Sequence, residues 1–252
     1  LEYVDGPNAR SYVQCRATSQ VDPKGTCSRC VKSKVSRGEN KGGVPVNTVP
    51  CEYKEAPTTG EESKEDKAAR LAANAEAAEK ALRAHNDEEK KAPGGNPDLL
   101  TDDQINRIKA EILVGAAGAT THRGAPAERV TNETETSVTV IVRFVGWICL
   151  VPTDPSWRGG TEDHEIGHVH QGAAVEREAN KSAPTIPADE LKKIEEAEER
   201  ANSELVSADQ KAQDELDDES GHSEPGNTKQ FERIAEKAVK SVRSSSSRGS
   251  GK

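Results

Sequence analysis

Residues 161–172 read TEDHEIGHVHQG, and within them His164, Glu165 and His168 spell H-E-x-x-H. On a helix, positions four apart lie one turn apart on one face, so both imidazoles can point at a single ion. Zinc accepts neutral imidazole, and a catalytic zinc site combines three protein ligands with one open position for water. The metal lowers the pKa of that water towards neutrality. Glu165, next to the first histidine, is then the candidate general base. Gly167 leaves one side of the helix bare for close packing. Chance also produces such strings in a chain with 44 acidic residues and 6 histidines, but here half of the histidines fall within seven residues.

Two histidines do not complete the site. Glu176 and Glu178 would sit about 12–15 Å up an unbroken helix from His168, out of reach of the same ion. His170 follows His168 by two residues and points away. The third ligand must therefore follow a chain reversal. Glu199 or Glu204 qualifies if the next helix runs back beside the first, and so does His222 in DDESGH. His222 is favoured, with Asp218 as the group that orients it. A strictly antiparallel return would carry His222 past the site, so this choice requires a bend between 200 and 218.

The elements that must position these groups follow from pattern. Residues 136–151, TSVTVIVRFVGWICLV, read as one long strand. Val138, Val140, Val142 and Phe144 face one way; Thr139, Ile141, Arg143 and Val145 face the other. PTDPSWRGG breaks it, and the HEIGH helix begins near 161 and ends before Pro184 and Pro187. A Glu/Ala-rich helix spans about 188–217, and TKQFERIAEKAVKSV is a last amphipathic helix. Upstream, Thr101 and Gln104 form a capping-box pattern for a helix whose apolar face is Leu100, Ile105, Ile108 and Ile112. Residues 61–92 are strong helix formers with little to bury, hence a solvent-exposed or fraying helix that PGGNPD ends. A Gly/Ala/Thr-rich loop is expected over 115–135, and loop or disorder over 1–60.

The composition restricts the function. Leu, Ile, Val and Phe together fall below the ~20 % of a well-cored chain, with a net charge of −9, so a modest folded domain with solvated flanks is expected. The acidic balance argues against a general nucleic-acid binder, since phosphate contacts need clustered Lys and Arg. No run reaches the ~18 apolar residues of a membrane span.

The order of strand with Pro155 and Trp157, then His164, Glu165 and His168, then a long Ala/Glu helix, then ELDDESGHSEPGNTKQF resembles a secreted zinc-dependent protease family built on a domain of unknown function. That family's later loop reads Asp-x-x-Thr-x-His-Gly. Asp217 or Asp218, Ser220 and His222 match it approximately, with Ser for Thr and Ser223 for the Gly. The resemblance covers roughly 136–232. It implies a zinc-dependent peptidase, a functional role for His222, and a secreted or cell-envelope location. HEIGHVHQ with EREAN is also similar to the ImmA/IrrE-type metallopeptidases, although KSAPTIP follows where they have a Phe/Ala-rich stretch.

Five cysteines remain. CSRC at 27–30, with Cys15 and Cys51, could ligate one structural zinc and looks like half of a fungal binuclear cluster, but the spacing is irregular. Disulfides or free thiols fit it better, and Cys149 stands apart. The expected architecture is α+β. A zincin-like domain over 99–243 follows a Cys-containing segment (1–60) and a charged helix with linker (61–98), and a flexible tail (244–252) ends the chain. The expected function is hydrolysis of a peptide or protein by zinc-activated water, with the 138–146 strand holding extended substrate by strand addition. The competing reading is a non-enzymatic helical interaction protein whose H-E-x-x-H is incidental.

Overall fold

The computed structural model describes residues 34–35, 46–57, 60–91, 99–124, 127–153, 160–220 and 226–249. Their architecture is α+β, with five helices and two small sheets. Two compact units account for the contacts: Leu1–Arg123 with Gly146–Glu165, and Gly124–Val145 with Ile166–Lys252.

In the first unit the sheet order is β1 (Lys34–Val35), β2 (Val46–Cys51), β6 (Gly146–Pro152), β3 (Ala119–Arg123). β2 runs parallel to β6, Val46 beside Trp147, and β3 runs antiparallel to it, Thr120 beside Cys149. β6 is buried along its whole length, as a central strand covered on both faces must be, and its apolar run is therefore continuous rather than alternating. Helices α1 (Lys64–Lys91) and α2 (Asp102–Val114) pack with this sheet around Leu82, Ile105, Ile108, Ile112, Ile148 and Leu150.

The expected capping box forms: Thr101 Oγ1 accepts from Gln104 N–H, and Gln104 Oε1 accepts from Thr101 N–H. Gly115, at φ 114°, closes the other end in the left-handed conformation that glycine adopts without strain. The apolar face Leu100, Ile105, Ile108 and Ile112 is buried as expected.

Three expectations for this half are overturned. α1 is not a solvated helix: Ala75, Ala78 and Leu82 are fully buried, because small alanines let it approach closely without large side chains. Asn74 bonds both N–H and C=O of Lys54, and Asn86 those of Leu100, so amides tie α1 to the chain at two points. Part of the 1–60 segment read as loop is the strand β2, and the 115–135 loop contains β3 and β4 (Ala127–Thr131).

The second unit holds β4, β5 (Ser137–Val142) and β7 (Thr185–Pro187), antiparallel in the order β4-β5-β7. Ile194 of α4 (Leu191–Ser220) packs on Val138 and Val140. α5 (Thr228–Gly249) lies antiparallel along α4: Arg233 pairs with Glu219, Lys237 with Glu215 at 2.7 Å, and Arg243 with Glu204 at 3.4 Å. Between them Leu205, Ala208, Ala212 and Leu216 meet a row from Phe231, Ile234, Ala238 and Val242, all buried at three- and four-residue spacing. α5 continues to Gly249, into the stretch read as flexible tail; the hydroxyls of Ser244 and Ser245 both donate back to Ser241 C=O at 2.9 Å.

The long strand over 136–151 is two strands in different sheets. Its inward set, Val138, Val140, Val142 and Phe144, is buried as expected, but pairing stops at Val142. There Asn180, the last residue of α3 (Gly160–Asn180), bonds the N–H and C=O of Val142. Glu176 accepts from Phe144 N–H at 2.9 Å, and Gly124 C=O accepts from Val145 N–H at 3.1 Å. Side-chain and loop acceptors thus take the N–H groups of Val142, Phe144 and Val145 before Gly146 begins β6. Strand addition to 138–146 is also overturned, because β5 is flanked by β4 and β7 and β6 by β2 and β3.

Candidate metal centre

His164 and His168 lie one turn apart on α3, whose first turn carries Glu162 and Asp163, well placed for the positive end of the helix dipole. α4 runs back past them. A pair of helices in antiparallel register brings Asp217 and Gln213 level with His168. The ligand atoms of His164, His168 and Asp217 all lie within 4.8 Å of one another, a group able to hold a metal ion. His164 is buried; His168 and Asp217 are half-buried.

Each histidine-side contact has a definite chemistry. His168 Nε2 lies 3.1 Å from Asp217 Oδ1. Its Nδ1 lies 2.7 Å from Gln213 Oε1, an oxygen that only accepts, so Nδ1 carries the proton. The Gln213 amide nitrogen donates to His168 C=O at 3.1 Å and to Asp209 Oδ1 at 2.8 Å. Asp209 is itself buried, and loss of hydration pushes its carboxyl up to about 7, against the opposing hydrogen bond from Gln213.

Glu165 belongs to the first unit and is held within it. It is 4 % exposed, and the Thr120 hydroxyl on β3 donates to its Oε2. Gly118 lies against the same carboxylate: a Cβ there would stand 2.6 Å from Glu165 Oε1 and 2.9 Å from Leu150 C=O. Only a residue without a side chain fits between a strand carbonyl and the first turns of α3.

Of the candidates read from sequence, His164 and His168 converge as expected and Glu165 is immobilised beside them in the chain. His222 lies outside the described residues, as do Pro155, Trp157, Cys15, Cys27 and Cys30. Asp218 is exposed and outside the cluster; its neighbour Asp217 supplies the carboxylate instead. Glu199 is exposed, Glu204 pairs with Arg243, and Glu176 serves the strand break. His170 is exposed and stacks on Phe231 with ring centroids 6.0 Å apart. Among the described residues Cys51 and Cys149 are buried and in no disulfide, and burial pushes Cys51 up to about 12 and raises Cys149 further, which favours the protonated thiol at both.

Asp209, Gln213, Thr120 and Gly118 were not legible as site residues. A signal existed for the first two. Asp209, Gln213 and Asp217 recur every four residues, a polar row beside the apolar seam of Leu205, Ala208, Ala212 and Leu216.

Among the described residues no helix is long and apolar enough to cross a membrane. Comparison with protein-family models, with curated proteins and with solved structures finds no match to this chain.

Proposed function

We propose that this chain is a zincin-like, zinc-dependent peptidase, with His164, His168 and Asp217 as ligands and Glu165 as general base. The observation that carries the reading is the convergence of the two H-E-x-x-H histidines with a carboxylate from a separate helix. The donor set fits zinc: two imidazoles and one carboxylate make up a three-ligand hydrolytic site with one position open. The 3.1 Å between His168 Nε2 and Asp217 Oδ1 is close to the ~3.3 Å that ligand bonds of about 2.0–2.1 Å impose at a tetrahedral ion.

A bound zinc ion would supply Lewis acidity, lowering the pKa of water and polarising a peptide carbonyl. The chain's own residues divide the remaining work. Glu165 takes the proton from the attacking water and returns it to the departing amine. Thr120 occupies one carboxylate oxygen, which keeps the group turned in a single direction. Burial of His164 and Glu165 dries the surroundings and strengthens each electrostatic contact. The resemblance of the motif order to a secreted protease family supports a peptide or protein substrate.

The test is metal content by elemental mass spectrometry on untagged protein, followed by a peptidase assay. About one zinc per chain in the wild type, lost in both His164→Ala and Asp217→Ala, is the expected result. Glu165→Gln should then keep the metal and lose activity. Zinc retained in both alanine variants would move the metal elsewhere in the chain. Absence of zinc from all three proteins would leave the non-enzymatic helical interaction protein as the better reading.

A further inference from the structure

We infer that Gln213 and Asp209 are positioning residues for the metal centre: together they decide which ring nitrogen of His168 faces the ion. This rests on the ligand assignment above and extends it to two residues that touch neither ion nor substrate.

A neutral imidazole has one N–H and one lone pair, and either nitrogen can carry the proton. A ligand must offer the lone pair. Gln213 Oε1, 2.7 Å from Nδ1, can only accept, so Nδ1 carries a proton, and Nε2, the atom 3.1 Å from Asp217 Oδ1, is the nitrogen left to give its lone pair to an ion. The Gln213 amide could defeat this by flipping, which would present NH2 to Nδ1 and reverse the tautomer. Two oxygens oppose the flip. His168 C=O and Asp209 Oδ1 both face the amide nitrogen, at 3.1 and 2.8 Å, and a flipped amide would set its oxygen against the carbonyl and against any Asp209 Oδ1 that carries no proton.

Asp209 contributes because it is buried and anchored on the same helix. Asp209, Gln213 and Asp217 are spaced by four, so one face of α4 carries the anchor, the orienting amide and the ligand in successive turns. Whichever oxygen of Asp209 holds a proton, Oδ1 keeps a lone pair for the amide.

The experiment titrates purified apo-protein with zinc against a chromophoric chelator, with circular dichroism to check folding. Gln213→Leu, nearly isosteric but without the amide, should weaken zinc binding about 10- to 100-fold, the range found when groups behind a ligating histidine are removed. The double variant Gln213→Glu with Asp209→Asn reverses the second hydrogen bond. The new amide at position 209 donates to the new carboxylate at position 213, which still accepts from Nδ1–H. It leaves a carboxylate oxygen facing His168 C=O where the amide donated, so it should regain only part of the affinity lost in Gln213→Leu. In the apo-protein, 15N shifts of the His168 ring should report a proton on Nδ1 for wild type and the double variant, and lose it in Gln213→Leu, where only Asp217 still accepts from the ring.

Wild-type affinity in folded Gln213→Leu overturns the inference. So does failure of the double variant to recover, which would assign Gln213 to packing alone. Wild-type protein that takes up no zinc overturns the ligand assignment itself, an outcome separate from the Nδ1 proton, which is read without metal.

Discussion

Glu165 and His168 belong to one five-residue motif, yet the regions that hold them are built on different principles. Around Glu165 the neighbours include a strand hydroxyl, a glycine and the wholly buried strand β6: an apolar wall with a donor aimed at the carboxylate. Around His168 they form a polar row along α4, in which each group satisfies the next. In the first region shape does most of the positioning, and Thr120 adds a polar instruction. In the second, shape is permissive and hydrogen-bond polarity selects the state. Substitutions that alter volume should therefore harm the first region most, and substitutions that alter donors and acceptors the second.

The largest expected effect is on the apolar wall. Leu82 is fully buried against α2 and the sheet, and Leu82→Ala should lower the unfolding free energy by about 2–5 kcal/mol in denaturant titrations. A loss under ~1 kcal/mol would mean that α1 does not pack as described.

Gly118→Ala follows. The new methyl must displace Glu165 or the Leu150 carbonyl, so a destabilisation of about 1–3 kcal/mol is expected. Activity should fall further than the folded fraction does, since Glu165 is one of the groups displaced. Unchanged stability and rate would show that shape does not position Glu165.

Burial raises the Asp209 carboxyl from 3.8 to about 7, so the fold prefers the protonated acid. The sign follows: nothing is lost below about pH 4, where the acid is protonated both folded and unfolded. Stability then falls as pH rises, and the loss saturates above about pH 7. Asp209→Asn in apo-protein should therefore match wild type near pH ~4 and exceed it at pH ~8, the difference growing between the two, measured by denaturation across pH. A constant difference at every pH would place Asp209 in water.

The smallest effect sharpens the contrast most. Thr120→Val keeps the shape and removes the donor to Glu165, so stability should drop by about 1 kcal/mol. Zinc content should be unchanged, while peptidase turnover falls. If Thr120→Val instead lost zinc, the strand side would serve the ligands as well as the base, and the division between the two regions would fail.

Much was determined by the sequence alone, wherever the information lay in near neighbours. The Thr101–Gln104 box, the Ile105–Ile108–Ile112 face and the alternation of Val138, Val140 and Val142 are local patterns, and each sits where its period places it. The pairing of His164 with His168 is local too, because helix pitch alone brings them together.

Tertiary structure decided the rest. The break after Val142 could not be read because the apolar run continues across it, and only Asn180, Glu176 and Gly124, distant in sequence, supply the competing hydrogen bonds. The burial of α1 was hidden because alanine carries little hydrophobic signal until a partner helix approaches it. The carboxylate of the cluster was hidden for the same reason at larger scale. Which acidic residue of a charged helix meets His168 depends on the antiparallel register of α3 and α4, and a shift of one residue, about 100° around the helix, separates Asp217 at the cluster from the exposed Asp218.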